Sequence, residues 1–551
     1  METAVTERQP KLWWLALPLA AGAVLRLVNL RDQVLGGDEL HAVRVMLQRP
    51  VSEILFTYQR SDHCLPLTAL YRLLADSGVT MTEMVFRLPV LLCGLLLLVA
   101  LPLLAARYIG RRAALVFAWL LAVSPVMIYY GRIVRSYAPM VLLVFCALLF
   151  FYAWWRGRGW WCGLLFAVFS SLALYFHLGS GPVIVAPWLF AAGELLVERR
   201  WRGGERPGLL QLLILAAGQA LLAAAFLVPA WESLNELVGA KRIEQSLSLA
   251  AVGEAMRILS GSGLLVVTFL FWGAALTGLV LLLRRNLRFG LFSLTAIVVH
   301  LAGLSVLSPY GIKMAHVLGR YMLPVLPFVL LSIALAFSSP WPGGRGERWK
   351  PAATAGLVLL LILGGSLIDG ELLRSSFVHN NDYLYFASTP ARLNPDKTPV
   401  FYHRLGDGEL EQGPLIEYPW TTVWNQSQAL YLYQRVHGQP VLVGAWDELL
   451  DDERLDFRNM PKVETRAMME SRARYLVVHL DWAAEEAVVA RGRWIKKNIA
   501  TRLQRAARQL TRQANRAFGP PVYRDNRIMV WDLEGARSRA ARRPAGGKGK
   551  P

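Results

Sequence analysis

The stretch that decides the fold runs from Phe86 to Met140, FRLPVLLCGLLLLVALPLLAARYIGRRAALVFAWLLAVSPVMIYYGRIVRSYAPM. Two apolar runs, 85–106 and 113–130, approach the roughly 20 residues needed to cross about 30 Å of hydrocarbon, and Arg107, Arg111 and Arg112 stand between them. Backbone polar groups in lipid must be satisfied within the segment, so such runs read as helices. The pattern repeats in both directions and gives eleven candidate spans, near 12–30, 85–106, 113–130, 137–155, 160–177, 181–197, 208–229, 263–283, 287–308, 317–338 and 352–369. Beyond residue 370 it stops.

Composition agrees. Of 551 residues, 55% are hydrophobic and 18% charged, against about 25% charged in an ordinary soluble domain, and the mean hydropathy is +0.37. A soluble multidomain enzyme, a disordered chain and a collagen are excluded. Four cysteines, Cys64, Cys93, Cys146 and Cys162, predict no disulfide framework, since the last three lie in apolar runs. The net charge of +20 would suggest nucleic acid on a soluble protein. Here most of the basic excess sits in short loops and the C-terminal stretch, so membrane lipids are the expected partner and nucleic acid is not.

With a cytoplasmic N-terminus, the short inner loops (106–113, 156–158, 198–208, 284–288 and 345–350) hold fifteen Lys or Arg. The short outer loops hold Arg132, Arg135 and Lys313 only. The positive-inside rule fixes that orientation, although Arg26 and Arg31 at the outer end of the first helix oppose it. LAAGA (19–23) resembles a signal-peptide cleavage site, but an uncleaved first helix keeps all five basic loops on one side.

The expected organisation is a transmembrane module over 1–370 with an outer loop at 31–84, an α/β extracytoplasmic domain over 371–534 and a disordered basic tail over 535–551. A further outer segment, 230–262, is partly amphipathic. In the outer domain, PVFYH (399–403), PLIEYP (414–419), PVLVG (440–444), YLVVHL (475–480) and RIMVWDL (527–533) read as strands. NQSQALYLYQRVHG (425–438) reads as helix, and Asp525-Asn526 as a hairpin turn. From Arg491 to Arg516 there are nine basic and no acidic residues, with Ile499, Leu503 and Leu510 at helical spacing. A solvated face packed on the domain is the preferred reading of that helix over contact with a membrane surface. Trp420, Trp424, Tyr431 and Tyr433 read as core rather than as sugar-stacking platforms.

Ionisable groups near the outer surface carry the candidate chemistry, because charge at membrane depth is expensive and usually functional. LGGDELHAVRVM (35–46) places Asp38 and Glu39 at the start of a helix with apolar Leu40, Val43 and Leu47. A helix N-cap explains an acid there, and a general base does so equally. RSDHCLPLTALYRLL (60–74) adds Arg60 and His63 ahead of a second amphipathic helix. IYYGRIVRSYAPM (128–140) sets Arg132, Arg135 and Tyr137 between two spans, where a bound anion and side chains snorkelling to the head groups are the competing explanations. His177 ends the fifth span and reads as structural. SPYGIKMAHVLGRYMLPVLP (308–327) places Lys313, His316, Arg320 and Tyr321 near the same surface.

The order R-L-P-x-x-x-x-G (87–94), G-R-R-A-A (110–114), S-P (124–125) and Y-x-R-x-x-R-x-Y (130–137) resembles the C-type membrane glycosyltransferases, in the branch of protein O-mannosyltransferases and aminoarabinose lipid A transferases. GGDEL (36–40) and R-Y-x-x-P-x-x-P (320–327) extend the resemblance over about the first 340 residues. It implies the GT-C fold, a sugar donor carried on polyprenyl phosphate, and a lipid, glycan or protein acceptor. Matched position by position, Asp38 is the catalytic acid and Glu39 its neighbour. Arg132, Arg135, Tyr137, Arg320 and Tyr321 fall on donor-side motifs, with Lys313, His316 and His63 as further phosphate ligands. His63 departs from the basic residue relatives often show there. No cofactor is expected and no metal-ligand spacing appears, although oligosaccharyltransferases of the superfamily use a divalent cation. A lipid-linked sugar transporter and an O-antigen ligase or polymerase are the competing readings.

Overall fold

Pro125 breaks the second of the two decisive runs. It has no N–H to give to the preceding turn, so helix α6 (Arg111–Val123) ends, Ser124 caps the next helix through Met127 N–H, and α7 (Pro125–Tyr130) starts afresh. The computed structural model describes residues 12–28, 30, 35, 39–58, 64–198, 207–241, 247–262, 264–309, 311–339, 350–363, 398–418, 433–441, 465–480 and 497–542.

Each of the eleven apolar runs contains helix. Among the described residues, six helices have the length and apolarity to cross a bilayer, and a bent pair, Ala315–Tyr321 with Leu326–Ser338 at 80°, makes a possible seventh. The remaining runs fall short of that length in the described residues, each for a local reason. Pro125 divides one run, the turn around Pro324 bends another, Trp13–Leu27 and Trp160–Phe176 are shorter, and the helix starting at Lys350 is described only to Leu363.

The centre of this helical unit is α8 (Tyr137–Trp155), which buries residues on every side, as expected of a helix apolar all round. Beside it lie α5 (Glu83–Ile109) and α9 (Trp160–Phe176), and Phe145 meets Phe117 of α6 at 5.9 Å between ring centroids. The loop expected outside forms three helices, α2 (Leu40–Gln48), α3 (Val51–Phe56) and α4 (Leu65–Asp76). Tyr71 O–H donates to Phe86 O at 2.5 Å and ties α4 to α5. The apolar face of α2 is rotated from the expected one: Ala42, Val45 and Met46 are buried, while Leu47 is half-exposed. Val45 packs in a cluster with Ile54 and Ala69, and that contact sets the rotation.

Residues 398–542 belong to a separate unit with a four-stranded sheet of order β1-β2-β4-β3. β1 (Leu415–Tyr418) runs parallel to β2 (Tyr475–His479). β4 (Ile528–Asp532) is antiparallel to β2 and to β3 (Tyr523–Arg524). The Asp525 side chain accepts from Arg527 and Ile528 N–H at 2.7 Å, which closes the expected hairpin. The basic helix spans Lys497–Phe518 and buries Ala507, Leu510, Ala514 and Phe518 in the core beneath the sheet.

Two expectations fail here. Residues 399–403 are helix, Val400–Gly406, because Phe401, Tyr402 and Leu405 share one buried helical face while Val400 is exposed. The first part of the tail expected over 535–551 is helix, Leu533–Ala541: Asp532 caps it, Ala536 is buried, and Arg537 donates to the carbonyls of Met468, Met469, Ser471 and Ala473; residues 543–551 lie outside the described residues. Of the 440–444 strand, Pro440 and Val441 are described; Pro440 O accepts Leu415 N–H at 2.9 Å and Val441 bridges to Leu415. Tyr433 is core as expected, stacked on Tyr402 at 4.5 Å; Trp420, Trp424 and Tyr431 lie outside the described residues.

Candidate functional site

The break at Pro125 leaves helix-end carbonyls for which something else must supply donors. Arg26, fully buried on the first helix, does so: its guanidinium reaches Leu121 O at 3.2 Å, Ala122 O at 3.3 Å and Gly22 O at 3.0 Å. The side chain needs room, and glycines provide it. A Cβ on Gly131 would stand 3.2 Å from Arg26 Nε, and one on Gly94 would stand 3.2 Å from the Gly131 Cα. This close approach accounts for the final glycine of R-L-P-x-x-x-x-G.

Residues 131–136 form a fully buried turn between α7 and α8. Arg132 donates to Val28 O at 2.9 Å and Leu25 O at 3.5 Å, so it anchors the end of the first helix. Glu39, 1% exposed, bridges the outer loop to this turn. Its Oε1 accepts Val134 N–H at 2.9 Å, and its Oε2 faces Arg87 Nη2 at 3.3 Å. Arg87 also donates to Leu30 O at 3.2 Å. Cys64, just ahead of α4, reaches Ser136 Oγ at 3.1 Å.

An aromatic chain carries the turn to the late motif. Tyr137 lies 4.7 Å from Tyr130 and 5.3 Å from His177, and His177 lies 6.3 Å from Tyr321, all between ring centroids. His177 Nδ1 accepts Gly179 N–H at 3.0 Å, which fixes the ring. His300, wholly buried, lies 2.7 Å from Tyr321 O through Nε2 and holds the bend of the last pair.

The structure therefore gathers Glu39, Arg132, Arg135, Tyr137 and Tyr321 around one buried turn. Arg135 is 7% exposed within it. Arg320, adjacent to Tyr321, and His316 are half-buried, and Lys313 is exposed on the turn before them. Asp38 and His63 lie outside the described residues, as does Arg60. Arg26, Arg87, His177 and His300 were not among the candidates. The signals for the first two were present, since Arg26 violated the orientation rule and Arg87 opens the R-L-P pattern. His177 and His300 carried none.

Chemically, the turn is a buried cluster of guanidinium groups: Arg26 and Arg132 are held by backbone carbonyls, and Arg87 by Glu39 and Leu30 O. Among the described residues no three His, Cys, Asp or Glu side chains come together to hold a metal ion.

Comparison with known proteins agrees with this architecture. Residues 74–217 match the family model for dolichyl-phosphate-mannose-protein mannosyltransferase. No curated protein matches the sequence. Among solved structures, ArnT from Cupriavidus metallidurans in the apo state is similar at 15% identity and TM-score 0.55, covering 95% of this chain and 98% of that one. The same protein bound to undecaprenyl phosphate gives 14% identity and TM-score 0.53 with the same coverage. The fold is the GT-C fold of polytopic membrane glycosyltransferases, and the chain is an integral membrane protein.

Proposed function

We propose that this chain, built on the GT-C fold, moves a single sugar from a polyprenyl phosphate to an acceptor hydroxyl at the periplasmic face of a bacterial inner membrane. The observation that carries the proposal is the buried 131–137 turn, which brings Arg132 and Arg135 together with Glu39 and with aromatic rings drawn from three segments. The ArnT structure holding undecaprenyl phosphate on the same fold supports a lipid phosphate as the carrier of the donor sugar.

In this reading Asp38 takes the proton of the acceptor hydroxyl as its oxygen bonds the anomeric carbon. The bond from that carbon to phosphate breaks, and polyprenyl phosphate leaves with the electron pair. Displacement from the opposite face inverts the anomeric centre. General-base assistance of this kind is worth about 100- to 10,000-fold. Arg135 and Arg320, with His316 and Lys313 behind them, meet the charge that grows on the leaving phosphate. One guanidinium at about 4 Å interacts by about 4 kcal/mol at an effective dielectric of 20, and each 1.4 kcal/mol gained only in the transition state is about tenfold in rate.

Glu39 has a different task from its neighbour. With both oxygens engaged by Val134 and Arg87 it holds the outer loop against the turn, which makes it a positioning residue.

The test is transfer from a panel of labelled polyprenyl-phosphate sugars to membrane extracts, with the native chain and Asp38→Asn in matched vesicles. Label should reach an acceptor with the native chain and fall at least about 100-fold with the variant. Asp38-independent movement of the lipid-linked sugar across the bilayer, without transfer, would make the chain a transporter.

A further inference from the structure

The basic helix Lys497–Phe518 has one face inside the sheet core and another that is exposed among the described residues. At 100° per residue, the buried Ala507, Leu510, Ala514 and Phe518 cluster on one side. Arg505, Arg508, Arg512 and Arg516 are all exposed, and their spacing confines them to an arc of about 80° on the opposite side. The stripe is about 16 Å long. Among the described residues no carboxylate pairs with any of the four, and the sequence from 491 to 516 has no acid to offer.

We propose that this arginine stripe docks on the anionic head groups of the bilayer in which the chain itself sits. The buried face settles how. An amphipathic helix that inserts into a membrane must spend its apolar side on lipid, and here that side is already consumed by the sheet. What remains is a row of guanidinium groups, whose planar forks match phosphate oxygens. A leaflet presents phosphates along the whole stripe at once, and being already beside the chain it needs no diffusional encounter. Contact of this kind is electrostatic, falls off within a Debye length and is released by salt. It is independent of the transfer reaction proposed above.

The experiment uses the full chain with Gln509→Cys, an exposed position within the stripe, in nanodiscs of phosphatidylcholine alone or with phosphatidylglycerol. A bulky polar maleimide reads accessibility at residue 509 by mass spectrometry. Labelling should slow about tenfold in the anionic discs and recover in high salt. Replacing the four arginines with glutamine should abolish the difference, and replacing them with lysine should keep most of it. Equal rates for the native stripe in both discs, or protection that survives the glutamine variant, would overturn the proposal.

Discussion

The two units each bury a carboxylate, and they handle it differently. Glu39 in the helical unit uses both oxygens, one on the Val134 N–H and one on Arg87. Glu417 in the sheet unit uses one. Its Oε2 receives Tyr402 O–H at 3.0 Å and His479 Nε2 at 2.7 Å, while Oε1 has no hydrogen-bond partner among the described residues. Beside it, His437 Nδ1 accepts Gln439 N–H, so the neutral ring carries its proton on Nε2, which is buried without a partner. The first arrangement is a saturated clasp in a positively charged wall. The second is a local polar core with capacity left over.

The sharpest break of this comparison is the same isosteric change in both places. Glu39→Gln keeps an acceptor for Val134 but turns an amide N–H₂ toward Arg87 and removes the carboxylate charge from a buried guanidinium; losing one partner of such a pair costs about 3–5 kcal/mol. A large fall in thermal stability of the full chain, with acceptor use lost alongside, is expected; native stability would remove the clasp. Glu417→Gln retains an oxygen for Tyr402 and His479 and places its N–H₂ where Oε1 had no bond, so a change near 1 kcal/mol is expected. Equal losses at the two sites, in parallel denaturation curves, would erase the distinction.

A smaller effect follows from His437. Burial pushes its pKa down to about 4, with Glu417 opposing, against about 6.5 for an unfolded histidine. The unfolded chain therefore binds the proton first. Stability from this group is complete above about pH 6.5 and declines as pH falls toward 4, by at most about 1.4 kcal/mol per pH unit. Hydrogen exchange of the Tyr475–His479 strand across that range should speed as pH drops, after correction for intrinsic rates. His437→Gln should flatten the profile, and an unchanged slope would refute the assignment.

The same contrast explains what the sequence made legible. In the helical unit lipid forces one pattern, so runs of apolar residues and the charge bias of loops located all eleven helical segments. Their completeness was hidden, because a proline such as Pro125 looks the same in a span it kinks and in one it ends. The site was readable as separate motifs. Their convergence was not, since the Tyr137, His177 and Tyr321 rings meet across nearly two hundred residues. In the sheet unit, local pattern is a weaker guide: PVFYH has β-rich letters, yet Phe401, Tyr402 and Leu405 satisfy a helical face, and the tail helix is held by an arginine reaching distant carbonyls. Glu417 sits in a strand that alternation could place, but its meeting with Tyr402 and His479 depends on strand order.

In the proposed function, the arginines of the buried turn and of the late motif hold a lipid phosphate. Binding of undecaprenyl phosphate to the purified full chain, compared with Arg135→Gln and Arg320→Gln, tests this most directly. Each substitution should weaken binding by about tenfold or more, given the size of one guanidinium–phosphate interaction near a surface. Native affinity in both variants would show that these side chains only brace the helices and reach for head groups, and would contradict the proposed site.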